Sequence, residues 1–359
     1  MARRPELPSV PVTGVKAMRV AMYYSNSDVR LEEMPVPEIG PGELLVRVEA
    51  SGICGSDVME WYRIHKVPLV LGHEIAGEVV KVGEGVQRFQ AGNRVAVSHH
   101  VPCMSCHYCQ SGHHTVCDTL RSTNFNPGGF AEFVRVPAIN VEHGTFLLPE
   151  GMSYEDGSFA EPVACVLRGQ RQAGFKPGCS VLVIGSGISG LLHVIVARAS
   201  GAGRVVATDM LDYRLKAASR LGAEATISAR DDVPALFREL NEGCGADLVA
   251  VCAGAVEAIG QALKAVSRMG SILFFATTKP DVTIPLNINE FFWRNEVTLT
   301  SSYAGSPDDM ARALELIGSG NLPVSETVTH RLPLAETGKG FDLVANPRDS
   351  IKVIIEPQK

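Results

Sequence analysis

Four cysteines, Cys103, Cys106, Cys109 and Cys117, stand in the pattern C-x2-C-x2-C-x7-C. Four thiolates on one short loop can close a tetrahedron around Zn²⁺ and leave no open position, so such a site is structural. Its binding energy goes into ordering the loop. An iron–sulfur cluster also takes closely spaced cysteines, but the ferredoxin run ends on a shorter gap followed by proline. Here the last gap is seven and Asp118 follows Cys117. His99, His100, His107, His113 and His114 surround the loop and read as solvated, because four sulfurs already complete the shell.

A second constellation is spread along the chain. Cys54, Ser56 and Asp57 follow a strand pattern, and His73 with Glu74 opens the next one, 19 residues after Cys54. Glu161 lies much further on, where the character of the sequence changes. A reactive zinc site needs three protein ligands and an open position. One thiolate, one imidazole and one carboxylate would supply it. Taken singly, Cys54 is equally a buried small residue and His73 a hydrogen-bonded core histidine.

The third signal is Gly185-Ser186-Gly187-Ile188-Ser189-Gly190, directly after the apolar run Val181–Ile184 and before an apolar helical pattern. In that context G-x-G-x-x-G is a dinucleotide fingerprint. Gly185 allows the tight turn, Gly187 admits the pyrophosphate, and Gly190 lets helix and strand pack closely. The backbone N–H groups of the first helical turn, at Ile188 and Ser189, face the phosphates. Asp209 ends the next strand, 19 residues after Gly190, where an acid accepts from the ribose hydroxyls. A carboxylate there repels a 2′-phosphate, which favours NAD over NADP. Arg214 reads either as a neighbour of the adenine or as a solvated helix residue.

These groups need two kinds of scaffold. From residue 18 to about 150, short β patterns at Leu44–Ala50, Ile75–Val82, Arg94–Val97 and Phe130–Val136 are broken by glycine and proline, as in an all-β region. Ser153 caps a helix start. From Ser180 onward, strands at Val181–Ile184, Arg204–Thr208, Ala225–Ile227, Asp247–Val251, Ser271–Phe275 and Val297–Ser301 alternate with helical patterns such as Tyr213–Leu221 and Val256–Val266. That alternation predicts an α/β unit with a doubly wound parallel sheet. After about Tyr303 come one more helix and two strands, Thr327–Leu332 and Ile351–Ile355, which lie beyond the alternation and return to the first region.

The whole chain sets limits. Its 359 residues suggest two domains, and a formal charge of −6 gives phosphate backbones little to attract. No nucleic-acid partner is expected, and no apolar run is long enough for a membrane span. The first residues, MARRPELPSVPVTG, lack the apolar core of a secretory signal and read as a loose arm. The reducing cytoplasm is the expected compartment, and clustered cysteines there more often bind metal than form disulfides.

Several strings then carry a family resemblance: GICGSD at 52–57, LGHEIAGEVVKVG at 71–83, the four-cysteine lobe, GGFAEFVRV at 128–136, EPVAC at 161–165, VLVIGSGISGLL at 181–192 and IKVII at 351–355. From about Lys16 to its end, the chain resembles the zinc-containing medium-chain dehydrogenases, especially the sorbitol, L-idonate and threonine dehydrogenase branch. The resemblance implies a GroES-like β-rich catalytic domain, residues 1–162 and 303–359 with a structural zinc lobe at 99–120. It also implies a Rossmann NAD-binding domain at 163–302. It implies two zinc ions per chain, with Cys54 and His73 on the reactive one and either Glu74 or Glu161 as third ligand. Asp57 would fix the His73 tautomer. Ser56 would take the proton of the substrate hydroxyl while hydride passes to NAD.

Many relatives carry a histidine where this chain has Met59, so the proton path beyond Ser56 must differ. His65 reads as a surface-loop residue. Trp61 and Tyr62 fall where relatives shape the substrate pocket, or they pack under the loop. The implied activity is oxidation of a secondary alcohol in a polyhydroxylated substrate: a polyol, sugar acid, cyclitol or aminocyclitol. Threonine-type amino alcohols are the alternative. A zinc-free reductase or a non-catalytic relative would lack the ligand set. The resemblance further implies a homodimer or homotetramer paired at the edge strand Val297–Ser301.

Overall fold

The computed structural model describes residues 16–359; the proposed N-terminal arm lies outside them. The alternating apolar strands after Ser180 form a six-stranded parallel sheet. In chain order its strands are Ser180–Ile184, Arg204–Asp209, Ala225–Ser228, Ala246–Val251, Val266–Phe274 and Thr298–Ser301. In space they run third, second, first, fourth, fifth, sixth. The order reverses on either side of Ser180–Ile184, which opens a crevice beyond the carboxyl ends of the strands. All five residues of that first strand are buried, as a strand covered on both faces must be.

The short β patterns of the first half form a second sheet. It runs Val328–Pro333, Lys352–Glu356, Leu44–Gly52, Glu74–Val82, Arg94–Ser98 and Thr145–Leu147, and Phe133–Val136 also pairs with Leu44–Gly52. The two last strands of the chain therefore return to the first region, as their position outside the βα alternation implied. A three-stranded sheet centred on Ala17–Ser25 flanks it. The chain thus combines a GroES-like β-rich unit with a Rossmann sheet.

Ser153 caps its helix, accepting from the Asp156 N–H. The helix Ala160–Gln172 that follows lies between the two sheets. Its Val163 and Ala164 share one apolar cluster with Ala50, Ala76 and Ala96 of the β-rich sheet and with Val181 and Leu191 of the Rossmann side. Two helices, rather than the one expected, follow Tyr303: Pro307–Gly318 and Thr337–Ala345. The second starts without a side-chain cap and holds two glycines, so it lacks the usual start signal. It forms because Phe341 packs against Tyr23 and Phe130 in a buried cluster.

Candidate active site and metal centres

Sheet register brings the scattered ligand types together. Gly52 pairs with Glu74, and Glu74 pairs with Ser98 on its other side. The residues flanking those pairs, Cys54, His73 and His99, consequently cluster at one end of the sheet. Cys54 Sγ, a His73 ring nitrogen and a Glu74 carboxylate oxygen all lie within 4.8 Å of one another. Glu161 is not in that trio. It is buried nearby, and its Oε1 accepts from the Cys165 thiol at 3.4 Å, one turn along its own helix. Burial pushes the Glu161 carboxyl up, His73 pulls it down and Glu74 pushes it up again.

The supporting residues are equally ordered. Asp57 is fully buried; its Oδ2 accepts from the Cys54 N–H at 3.0 Å and its Oδ1 faces His73 Nδ1 at 3.3 Å. Burial resists charge on the His73 imidazole, but the Asp57 carboxylate outweighs it and raises the imidazole well above its ordinary value. That same pull fixes which ring nitrogen faces Asp57 and leaves the other for a metal. The Ser56 backbone N–H donates to Cys54 Sγ at 3.5 Å, holding the sulfur and the serine in one turn. A soft thiolate, an imidazole and a carboxylate within one ion's reach are the donor set of a zinc with room for a further ligand. The residues fit the metal.

The four cysteines of the lobe also converge. The sulfurs of Cys106 and Cys109 stand 3.6 Å apart, those of Cys103 and Cys117 3.6 Å, and those of Cys103 and Cys109 4.0 Å. Four sulfurs bound tetrahedrally at about 2.3 Å stand roughly 3.8 Å apart. Ser105, by backbone and hydroxyl, and the Cys106 N–H hold the Cys103 thiol down at about 5, which favours the thiolate a metal needs.

Around the glycine loop, Gly185 adopts φ +94°, the left-handed conformation that glycine enters without cost. A Cβ on Gly190 would strike the Gly185 carbonyl, so helix and strand can only meet there through glycine. Gly187 caps the helix Ile188–Ala199, whose first turn carries Ile188 and Ser189. Asp209 Oδ2 accepts from the Ser186 N–H at 2.8 Å and Oδ1 from the Leu211 N–H at 3.0 Å. The carboxylate is therefore pinned beside the loop. Arg214 lies 3.7 Å from Asp209 Oδ2 and beside Gly187, so it belongs to this corner and is not a solvated helix residue.

Several residues stand differently from the sequence reading. His99 and His100 are half-buried rather than fully solvated. The His99 ring lies 4.7 Å from that of His73 and 3.8 Å from that of His100. His100 Nδ1 is 2.9 Å from the Thr123 carbonyl, so it carries the proton, and Nε2 accepts from the Tyr303 hydroxyl at 3.0 Å. Burial pushes His100 down to about 4. His107 and His113 are exposed as expected, and His114 is half-buried. Trp61 and Tyr62 are each 42% exposed on the short helix Glu60–Arg63, and His65 is exposed beyond it.

Two residues escaped sequence reasoning. Lys352, fully buried, is ion-paired with Glu74 and approaches the Ile53 carbonyl at 3.3 Å. A Cβ on Gly52 would occupy the space this pair fills. The available signal was a lysine inside the apolar strand Lys352–Glu356, since a buried cation must have a partner. Arg63 is the other, and it folds back onto Ser56.

A donor trio that fits a zinc with an open position, a doubly wound parallel sheet with a dinucleotide fingerprint, and a four-cysteine cluster on the same chain are the parts of a zinc- and NAD-dependent dehydrogenase. Residues 40–145 match the alcohol dehydrogenase GroES-like domain family and residues 189–319 the zinc-binding dehydrogenase family. The chain is 34% identical to the L-threonine 3-dehydrogenase of Bacillus velezensis, over 91% of this chain and 95% of that protein. It is 32% identical to the sorbitol dehydrogenase of Gallus gallus, over 93% and 95%. The solved structure of 2R,3R-butanediol dehydrogenase from Bacillus subtilis superposes with a TM-score of 0.82 at 27% identity, covering 95% of this chain and 99% of that one. The chain belongs to the zinc-containing medium-chain dehydrogenases, in the sorbitol and threonine dehydrogenase-like branch. It is an oxidoreductase that uses zinc and NAD.

Proposed function

We propose that this enzyme oxidises a secondary alcohol flanked by a second oxygen, as in a polyol, sugar acid, cyclitol or aminocyclitol, or reduces the matching ketone. The observation that carries this reading is the Cys54–His73–Glu74 trio, a ligand set with one sulfur and one carboxylate. Such a set is harder than one with two thiolates and suits an oxygen-rich substrate that can chelate. The sorbitol and butanediol dehydrogenases among its relatives act on substrates of this kind by name.

In this reading Cys54, His73 and Glu74 hold the reactive zinc and Glu161 is a second acid at its edge. Cys103, Cys106, Cys109 and Cys117 hold the structural zinc. Zinc supplies Lewis acidity to the substrate oxygen, and NAD supplies the hydride acceptor. Asp57 orients His73 through its Nδ1. Ser56 receives the substrate's hydroxyl proton. Gly185, Gly187, Ile188, Ser189 and Gly190 cradle the pyrophosphate, while Asp209 accepts from the ribose hydroxyls and Arg214 flanks the adenosine. Trp61 and Tyr62 border the pocket mouth. Met59 Sδ accepts from Thr277 at 3.5 Å across the crevice, so the two halves meet where substrate and cofactor must.

Residues 1–162 and 303–359 would form the catalytic domain and 163–302 the cofactor domain, with the helix Ala160–Gln172 shared between them. The strand Thr298–Ser301 ends its sheet, and an unpaired edge beside exposed Met269 and Trp293 supports pairing into a dimer or tetramer. No helix among the described residues is long and apolar enough to cross a membrane. Nine free cysteines suit the reducing cytoplasm.

Purified enzyme offered NAD with polyols, cyclitols, L-threonine and simple aliphatic alcohols tests the substrate class. Turnover led by a polyhydroxylated compound supports it; preference for L-threonine supports the amino-alcohol reading; preference for an aliphatic alcohol overturns both.

A further inference from the structure

Where many relatives place a histidine that carries the proton onward from the relay serine, this chain has Met59, and a thioether carries no proton. The next turn of chain supplies something else. In the helix Glu60–Arg63, the Arg63 N–H donates to the Met59 carbonyl at 3.1 Å, and the Arg63 side chain folds back toward the metal site. Its Nε donates to the Ser56 carbonyl at 3.1 Å and its Nη2 to Ser56 Oγ at 3.4 Å. The same Nη2 lies 3.9 Å from Asp57 Oδ1, the oxygen that faces His73. The Arg63 side chain is only 16% exposed. One cation therefore grips both the serine beside the ligand sulfur and the acid that orients the ligand imidazole.

The chemistry of these contacts is directional. Arginine stays charged at any physiological pH, so Arg63 is a donor only and cannot relay a proton. Because Ser56 Oγ accepts from Arg63, the serine's own O–H points away from the guanidinium. A fixed positive charge beside that oxygen, in a partly dry cleft, favours the partial negative charge it bears while protons change hands.

We propose that Arg63 is a positioning residue that replaces the missing relay histidine by charge: it holds Ser56 in one rotamer and stabilises its oxygen during proton transfer. Ser56 Oγ gives its own proton to water or a ribose hydroxyl as it takes the substrate's hydroxyl proton, so the oxygen is electron-rich in between and ends as it began. The proposal rests on Ser56 as the proton acceptor.

The test compares wild type with Arg63→Met, Arg63→Lys, and Met59→His alone and combined with Arg63→Met. Each is measured for kcat, KM, zinc content and NADH binding. Expected for Arg63→Met is unchanged zinc and NADH binding, a KM near wild type, and a kcat lower by about 10²-fold. Arg63→Lys, keeping charge but losing the fork, recovers part of that loss. Met59→His restores kcat in the Arg63→Met background by about tenfold or more relative to Arg63→Met alone. Wild-type kcat in Arg63→Met overturns the proposal, as does loss of zinc together with activity, or failure of Met59→His to restore anything. Ser56→Ala separates the two layers. If it keeps full turnover with zinc bound, the Ser56 assignment falls and Arg63 with it. If it is inactive while Arg63→Met is normal, only the Arg63 assignment falls.

Discussion

Glu74 answers to two groups at once. Its carboxylate is within reach of the Cys54 and His73 ligand atoms, and it is ion-paired with Lys352, which arrives from the far end of the chain. Both members of the pair are almost wholly buried. Removing two charges from water is costly, and their attraction offsets that cost only while both remain. Lys352→Met would leave an uncompensated carboxylate and should lower unfolding stability by about 3–5 kcal/mol, read from urea denaturation. Adding Glu74→Leu should recover most of the loss, because an apolar pair of similar volume is often neutral. A Lys352→Met variant as stable as wild type would show that Glu74 is charge-compensated from elsewhere. The pair was hidden in the sequence because 278 residues separate its members. By contrast Cys54 and His73 were legible through the family resemblance their motifs carry, since taken singly each reads equally well as a core residue. Whether Glu74 or Glu161 joins the trio depends on the register of two strands and one helix, which no local pattern encodes.

At the scale of elements, the Rossmann strands were legible to within a residue or two for most, because a strand covered on both faces must be apolar throughout. The strand Val266–Phe274 begins five residues earlier than its apolar run, since Val266 pairs with Ala246 before a register shift and Met269 takes φ +62°. The dinucleotide helix Ile188–Ala199 carries a property of its own. His193 on it is fully buried, and burial pushes its imidazole down to about 3. The unfolded chain takes up that proton below about 6.5, whereas the folded chain refuses it until about 3. The unfolded state thus binds more protons across this window, and stability falls as pH drops through it, by up to about 1.4 kcal/mol per pH unit. His193→Leu should flatten that acid slope in denaturation measured from pH 6.5 downward; an unchanged slope would assign it to other groups. The cysteine lobe makes a separate prediction. Cys109→Ser should remove one zinc equivalent and lower the thermal midpoint while the Cys54 site keeps its metal, because a closed thiolate site spends its binding energy on order. Retention of both zincs would argue against a four-cysteine shell.

The described residues form a β-rich part and a six-stranded parallel sheet that share the helix Ala160–Gln172, with the Cys54–His73–Glu74 trio in the first and the glycine loop at the crevice of the second. Neither half is complete alone: the metal site lacks a hydride acceptor, and the dinucleotide crevice lacks a Lewis acid. The free edge at Thr298–Ser301 extends this logic beyond one chain, and light scattering should give two or four times the 38.4 kDa chain mass. A monomer would mean that the edge is covered in another way. The most direct test of the account is zinc content measured together with NADH formation on a polyhydroxylated substrate, for wild type and Cys54→Ala. The account predicts about two zincs per chain and turnover in wild type, the sum of one closed and one open site. In Cys54→Ala it predicts one zinc, held by the cysteine lobe, and no NADH. Two zincs and undiminished NADH formation in Cys54→Ala would contradict the assignment of the reactive metal to the Cys54–His73–Glu74 site.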